Sequence, residues 1–414
     1  MQVSKYPRGQ TEMAAIQADA KTVWIGLFSL ALAVAVVAVA IFHYRLQTSL
    51  AQAQRLTPLD TLPPQLPTVS LIIPAYNEQI NIAECLTAAC ASQLPHPEQL
   101  QIIVADDESS DSTAAIAQEI ADGDRRVSVL SVPPRPSNIP WRGKNWACAN
   151  AVQQATGDYL LFIDADVRLA PNALATALSD CQKHQADLLS CGPGIICGCF
   201  SEWLVQPIMM SCIAVGYDFK AVNDPQDLET AFAAGPFMLF RRSAYEAIGG
   251  HRAVATETVE DVELAKRIKH SGLKLRYLLS SNLIQVRMYR SFGALWEGWT
   301  KNYHLGGGRN IGSTLYSAFA LSLIFVMPWL GLAVGLAGLL ASSAWGWAVG
   351  LGIVAVGLQI YMRWSAQQVF GQPLRYWWLG WLSGGLVAAI AVVSIIKTET
   401  GWGWTWRGRR LSAP

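Results

Sequence analysis

Between Val23 and Phe42 the chain reads VWIGLFSLALAVAVVAVAIF, a run without a single charge. A helix needs about 20 such residues to cross the hydrocarbon core of a bilayer, so this segment predicts a transmembrane anchor. A cleaved signal would have a shorter apolar region and a small-residue cleavage site; here the run passes straight into His43, Tyr44 and Arg45, so retention is expected. Apolar character returns late in the chain, at Ser313 to about Leu340, Trp345 to about Tyr361 and Trp377 to about Ile396, with Trp and Tyr at several ends. The expected division is an N-terminal anchor and linker over 1–67, a catalytic domain over 68–312 and a membrane region with about three hydrophobic segments over 313–414. With the middle part on the cytoplasmic side of a cell membrane, three further spans would leave the C-terminus outside. The tail Trp406-Arg407-Gly408-Arg409-Arg410 is basic and is drawn inside, so one of the three segments is a candidate interfacial or re-entrant helix.

The composition, 52% hydrophobic and 15% charged, is too apolar for an ordinary soluble enzyme, yet polar stretches interrupt it too often for a chain that lies wholly in the membrane. A formal charge of +1 lacks the basic excess that would neutralise many phosphates, which argues against nucleic acid as a partner. Neither the first span nor the late ones carry the acidic residue or His that marks an ion path, which argues against a transporter. The eight cysteines form no CxxC pair and read as reduced; Cys191, Cys197 and Cys199 are close enough in sequence to hold a metal, but the reading preferred is small buried apolar side chains.

From about Val69 the pattern is α/β. VSLIIPA, QIIVADD and DYLLFIDAD are short apolar runs that end in polar residues, each followed by a helix-compatible stretch, which predicts parallel strands with crossover helices and ligand groups at the strand C-termini. The first run ends in Pro74-Ala75-Tyr76-Asn77-Glu78, where the proline is expected to stop the ladder and a short loop to open onto a helix. Asn77 and Glu78 could equally cap that helix. The second ends in Asp106-Asp107-Glu108-Ser109-Ser110-Asp111, a costly concentration of carboxylates that suits acceptors for a base or ribose better than capping alone. The third ends in Asp164-Ala165-Asp166; on a strand, residues two apart share a face and could meet one divalent cation together with diphosphate oxygens. Gly143-Lys144-Asn145 suits a phosphate-contacting loop. Further on, Glu260 and Asp261 open a helical pattern, either as residues that complement the helix dipole or as a positioned general base. FSEWLVQPIMMSCIAVGYDF, from Phe200, reads as a core helix or a membrane-surface helix.

In this order and spacing PAYNE, DDESSD, GKN and DAD resemble the family 2 glycosyltransferases, over roughly residues 68 to 290. The resemblance implies an α/β, Rossmann-like nucleotide-sugar domain of the GT-A type, here flanked by transmembrane helices. It further implies that Pro74, Tyr76, Asn77, Glu78, Asp106, Asp107, Lys144 and Asp164 hold the nucleotide-sugar, that Asp166 with Asp164 binds Mg2+ or Mn2+, and that Asp261, with Glu260 in reserve, is the base of an inverting transfer. Processive members carry Gln-x-x-Arg-Trp where this chain has Gln285, Arg287, Arg290 and then Ser291 in place of the Trp. That departure argues against processive polymerisation while leaving Arg290 able to contact the diphosphate. The whole arrangement looks like bacterial transferases that glycosylate carotenoids, and less closely the hopanoid-associated ones. A nucleotide-sugar donor and a membrane-embedded lipid acceptor are therefore the expected partners. Alternatives are transfer to a glycerolipid or polyprenyl phosphate, and an inactive membrane scaffold of the same fold.

Overall fold

The computed structural model describes residues 8–136, 138–370 and 374–410. The apolar runs become β1 (Val69–Ala75), β2 (Leu100–Asp106), β3 (Val127–Ser131) and β4 (Tyr159–Phe162), parallel neighbours in the order β3-β2-β1-β4. Their crossovers contain helices α2 (Ile82–Cys90), α3 (Thr113–Gly123) and α4 (Gly143–Ala151). The central strands β1 and β4 are mostly apolar because both faces are covered, whereas the edge strand β3 exposes Ser128 and Ser131. Ile72, Ile103 and Leu160 point into one core, Leu71, Ile102 and Leu161 into another, as the two-residue period of a strand requires.

The sheet continues as β7-β6-β8-β5, formed by β5 (Val167–Leu169), β6 (Leu188–Ile195), β7 (Met238–Arg241) and β8 (Leu275–Val286). Strand β7 runs antiparallel to β4, so its leading residues lie at the same sheet end as the C-termini of β1, β2 and β4. Helices α5 (Ala173–His184), α6 (Phe200–Gly216), α7 (Phe219–Val222), α8 (Arg242–Ala247) and α9 (Glu260–His270) complete this part. Helix α6 is mostly buried, packed on the flanking helices described next, although Phe200 stays half exposed.

The first helix, α1 (Arg8–Gln52), runs well past the expected anchor, and its last turns bury Leu46 and Leu50 in the same core as Leu204 and Phe240. The anchor is thus packed onto the sheet domain and is no loose tether. After α10 (Phe292–Gly306), α11 (Ile311–Leu321) passes through one π-helical stretch (Ser322–Val326) into α12 (Met327–Leu339), and α13 (Gly346–Phe370) and α14 (Gly380–Thr400) follow. Carbonyls freed by the π stretch are met by Gln359, whose Nε2 donates to Ile324 O at 2.6 Å, while its Oε1 accepts from Trp329 Nε1 at 2.8 Å. Among the described residues, four segments are long and apolar enough to cross a membrane: Lys21–Gln52, Ile311–Leu339, Ser343–Gln368 and Trp377–Thr400.

Pairings along these helices fix their relative levels. Phe28 meets Trp345, Gly331 faces Leu32, Phe42 meets Phe325, His43 meets Tyr361 and Gln47 bonds Ser365. Helix α14 starts beside Gln359 and Trp329, passes Phe325 at Gly384 and ends with Glu399 on Arg309. It therefore begins level with Phe42 of α1 and runs from there toward the sheet domain. The chain then closes with the hairpin β9 (Thr405–Trp406) and β10 (Arg409–Arg410).

Where β1 begins, Gly157 has no room for a side chain: a Cβ there would lie 2.5 Å from Ser70 N and 2.6 Å from Val69 C, backbone atoms of the strand that delivers Pro74 to Glu78. Gly157→Ala is expected to lower the thermal midpoint in detergent, by about 1–3 kcal/mol of stability. Gly123→Ala, at a helix end with open space around it, is expected to leave the midpoint within error.

Candidate active site

Four loops and two helix starts meet at one end of the sheet. From β1 the chain passes into Tyr76, Asn77 and Glu78; the ladder to β2 continues through Pro74 and Ala75, so the proline marks the end of pairing with β4 and does not stop the ladder altogether. Asn77 (φ 53°) and Glu108 (φ 60°) both adopt the left-handed region, which costs a non-glycine residue energy and persists where surroundings enforce it. They are locked against each other: Asn77 N donates to Ser109 Oγ at 3.0 Å and Ser110 N donates to Asn77 Oδ1 at 2.9 Å. Glu78 accepts from Asn81 Nδ2, and its backbone carbonyl caps α2. Asp111 does cap: its carboxylate accepts from Thr113 N at the start of α3.

At the end of β2, Asp106 and Asp107 are buried. One oxygen of Asp106 accepts from Ser109 N, while Oδ1 is buried without a partner. Burial pushes the Asp107 carboxyl up from its ordinary range, against the pull of Arg135 at 3.3 Å and Arg409. Gly143, at the start of α4, allows this approach, since a Cβ there would sit 2.5 Å from Asp107 Oδ2.

Strand β4 stops at Phe162, so Asp164-Ala165-Asp166 is not strand but the turn into β5, closed by Val167 N donating to Asp164 O at 3.1 Å. The shared strand face expected for the two aspartates does not exist, and the turn gives them different surroundings. Asp164 Oδ1 lies 2.7 Å from Lys144 Nζ. Asp166 keeps a buried Oδ1 without a partner, and burial, together with the nearby charges of Asp164 and Glu78, holds its carboxyl well above the usual range.

Lys144 is the hub. Its ammonium also lies 2.8 Å from Glu260 Oε1, so one cation from α4 joins the β4–β5 turn to the start of α9. Burial works against that charge, but Asp164 and Glu260 outweigh it and hold Lys144 well above its ordinary value. Next to it Asp261 Oδ2 accepts from Gly235 N at 2.8 Å, and a Cβ at Gly235 would stand 3.0 Å from that oxygen and 3.2 Å from Lys144 Nζ. Burial first, and the neighbouring Glu260 second, push Asp261 up to about 7. Asn145 fastens the approach to α9, its Nδ2 donating to Val254 O at 2.6 Å and Glu257 O at 3.0 Å.

Arg290 bonds Asn81 Oδ1 at 3.0 Å and Glu84 at 3.4 Å, at the start of α2, and so joins the site through Asn81, whose Nδ2 donates to Glu78. Several residues were not singled out from sequence. Lys301 on α10 is pushed down to about 8 by burial, with Glu260 opposing, and its ammonium lies 4.1 Å from the Trp406 ring centre. Arg407 reaches Glu78 Oε1 at 2.6 Å and the carbonyls of Tyr76 and Asn77, while Arg409 pairs with Asp107. The signal for these two was visible in WRGRR, which the sequence reading used only for topology. All eight cysteines are free, and among the described residues no group of three or more His, Cys, Asp or Glu side chains is placed to hold a metal by itself.

This geometry can be set against known proteins. The model for "Glycosyl transferase family 2" matches residues 70–249. The 4,4'-diaponeurosporenoate glycosyltransferase of Staphylococcus aureus is 29% identical over 243 residues, 58% of this chain and 62% of that protein. Its counterpart from Staphylococcus haemolyticus is 27% identical over 242 residues, with the same coverage. Both matches thus span less than two thirds of the relatives' length. Among solved structures, the mannosyltransferase PcManGT from Pyrobaculum calidifontis, in complex with GDP-Man and Mn2+, superposes with a TM-score of 0.52 at 17% identity, covering 91% of this chain and 99% of that one, a likeness of fold. The carboxylates gathered at three parallel strand ends thus lie within the residues, 70–249, that the model for glycosyltransferase family 2 matches.

Proposed function

We propose that the chain transfers a sugar from a nucleotide-sugar to a lipid held in the membrane, with inversion at the anomeric carbon. The observation that carries this reading is the ion pair of Lys144 with Asp164 and Glu260, which brings a phosphate-side carboxylate and a base-side carboxylate to one ammonium beside Asp261. In the proposed reaction Tyr76, Asn77, Glu78, Asp106 and Asp107 form the nucleotide side, with Pro74 ending the strand beneath them, and Lys144 faces the diphosphate. Asp261 takes the proton of the acceptor hydroxyl as that oxygen attacks the anomeric carbon from the face opposite the departing diphosphate. Glu260 stays bound to Lys144 and keeps that ammonium in place. A carboxyl acceptor would need only orientation, being ionised already.

A divalent ion, Mg2+ or Mn2+, fits the residues present: Asp166 has a buried, partnerless oxygen beside two other carboxylates, and hard cations take such oxygens. Asp166 and Asp164 would hold it, with diphosphate oxygens and water completing the shell; when bound it offsets the charge of the departing diphosphate. The mannosyltransferase of like fold has Mn2+ in its complex, which supports this reading. Arg290 joins the nucleotide side through its bond to Asn81, which in turn bonds Glu78.

The acceptor is proposed to be a carotenoid or another isoprenoid, as the staphylococcal relatives' name suggests for them. Helix α10 gives such a lipid a route: it carries Lys301 toward the site and is tied to α14 by Lys397 on Thr300 at 3.0 Å and His304 N on Ser394 at 2.9 Å. We further propose an integral membrane protein with its catalytic domain, 68–312, on the cytoplasmic side, crossed by α1, the continuous α11–α12 segment and α13. Helix α14, which starts level with Phe42 and descends toward the sheet domain, is then interfacial, and the basic tail stays on the catalytic side.

Four outcomes are expected. Purified protein in nanodiscs, given Mg2+ or Mn2+, lipid extract and a panel of nucleotide-sugars, should release nucleoside diphosphate and label a lipid fraction; Asp166→Asn and Asp261→Asn should each cut this roughly a hundredfold or more. No turnover with any donor, and no nucleotide binding, would sink the enzyme reading. In wild type, kcat/KM should rise with pH through about 7 as Asp261 loses its proton. Stability should move the other way: between the ordinary value of 3.8 and about 7 the unfolded chain has released a proton that the folded one keeps, so stability falls as pH rises. Asp261→Asn should therefore melt higher than wild type at neutral pH, a gain that shrinks toward pH 3.8; no pH-dependent gain would count against the buried, raised carboxyl. For topology, Ser342→Cys and Trp402→Cys should react with an impermeant thiol reagent from opposite faces of oriented vesicles; reaction from one face would mean that α14 crosses.

A further inference from the structure

The acidic donor pocket is balanced by cations from the far end of the chain. Glu78 is largely buried, burial raises its carboxyl, and Arg407 provides the largest opposing pull, with Nη1 2.6 Å from Oε1 and 2.8 and 2.7 Å from the carbonyls of Tyr76 and Asn77. Arg409 Nη1 lies 2.5 Å from Asp107 Oδ2, Nη2 bonds Asp107 O at 2.8 Å, and the guanidinium lies 3.5 Å from the Tyr76 ring centre. Each contact joins residues more than 300 positions apart in the chain.

These arginines are held in place. Trp406 pairs with Arg409 across a two-residue turn, Arg407-Gly408, with φ of 48° and 82°. Positive φ at both central positions is the hairpin turn whose twist suits two antiparallel strands, and it costs an arginine more than it would an Asn or Gly. Trp404 is buried with Arg142 over its ring, Thr405 Oγ1 donates to Glu297 Oε1 at 2.6 Å, and Lys301 lies over Trp406. The hairpin is thus clamped between α4 and α10 with its tip on the loop after β1.

We infer that the C-terminal hairpin is part of the donor site, with Arg407 binding the diphosphate of the nucleotide-sugar and Arg409 holding Asp107 and Tyr76 in place around the nucleoside. The inference rests on the glycosyltransferase reading and extends it to residues outside the family-matched segment. Its electrostatic basis is simple. A diphosphate entering beside Glu78, Asp107, Asp164 and Asp166 meets like charge at short range, where a low dielectric makes repulsion strong. Guanidinium groups already there can turn from carboxylate to phosphate oxygens, which match their planar fork equally well. Because the hairpin follows α14 directly, donor binding would also fix the last helix against α10, beside the lipid's route.

The test uses the full chain in nanodiscs, with UDP and GDP plus Mg2+ as probes. Arg407→Ala should weaken binding of whichever nucleotide the wild type binds by roughly tenfold or more, as loss of a charge-assisted bond implies, with Arg407→Lys partly restoring it. The same nucleotide should slow tryptic cleavage after Arg407 and Arg409 in the wild type. Unchanged or tighter binding by Arg407→Ala, or cleavage that the nucleotide leaves unchanged or speeds, would overturn the inference and make the hairpin a plug or a bystander. If the wild type bound neither nucleotide, the glycosyltransferase reading would fall and this inference with it; binding by wild type and Arg407→Ala alike removes this inference alone.

Discussion

Packing carboxylates at the ends of three parallel strands is the constraint on which the rest of this structure depends. Left alone, Glu78, Asp107, Asp164, Asp166, Glu260 and Asp261 would repel one another or take up protons. The fold answers with cations from distant parts of the chain: Lys144 from α4, Arg135 from the loop after β3, and Arg407 and Arg409 from the tail. Where a cation is in contact, as at Asp164 and Glu260, the carboxylate is paired; where none is, at Asp166, an oxygen is buried bare and the proton is held more tightly. That contrast within one turn separates a group already neutralised from one that still calls for a positive partner.

The same need for charge balance ties the sheet domain and the long apolar helices together. The tail can reach Asp107 only if α14 ends on the side of the sheet domain, and it does, because Glu399 meets Arg309 and Lys397 meets Thr300 there. The last turns of α1 are buried in the core that covers one sheet face, which fixes the catalytic end of the sheet relative to the long apolar helices. Such fixed levels matter for chemistry, since a reacting atom must come within about 3–3.5 Å of its partner for a reaction to proceed.

Most of the parallel half was legible in the sequence. VSLIIPA, QIIVA and YLLF are strands because each residue is buried on one face or the other, and the polar residues that end them do converge. Asp261, Glu260 and Lys144 were named from their motifs and stand together. The geometry of DAD was misread because a strand was assumed to continue past Phe162, whereas a turn gives its two aspartates unlike surroundings. Arg290 was named from its place in the order of motifs; its guanidinium bonds Asn81 and Glu84, and Asn81 in turn bonds Glu78, a link that spacing along the chain does not encode. WRGRR showed basic residues but not their partners, because no local periodicity encodes the contacts of Arg407 and Arg409 across some 300 residues or that of Lys301 with Trp406. What the sequence did carry was the topological tension between three late apolar segments and a basic tail.

Glu260 and Asp261 show how adjacent residues of one type acquire different tasks. They open the same helix and share its positive end, so the dipole cannot distinguish them. Their neighbours can. Glu260 lies against the Lys144 ammonium, whereas Asp261 is met by the amide of Gly235, a dipole without net charge, and has Glu260's carboxylate as its nearest like charge. One group is therefore an ion-pair anchor and the other is poised near neutrality, able to take and release a proton within the physiological range. Gly235 makes this possible by allowing carboxylate and ammonium within about a methyl radius of the backbone, and a side chain there would stand 3.0 Å from the Asp261 oxygen and 3.2 Å from Lys144. The division of roles thus rests on Glu260 reaching the Lys144 ammonium and Asp261 the Gly235 amide, and so on the loop that leads into β7, antiparallel beside β4.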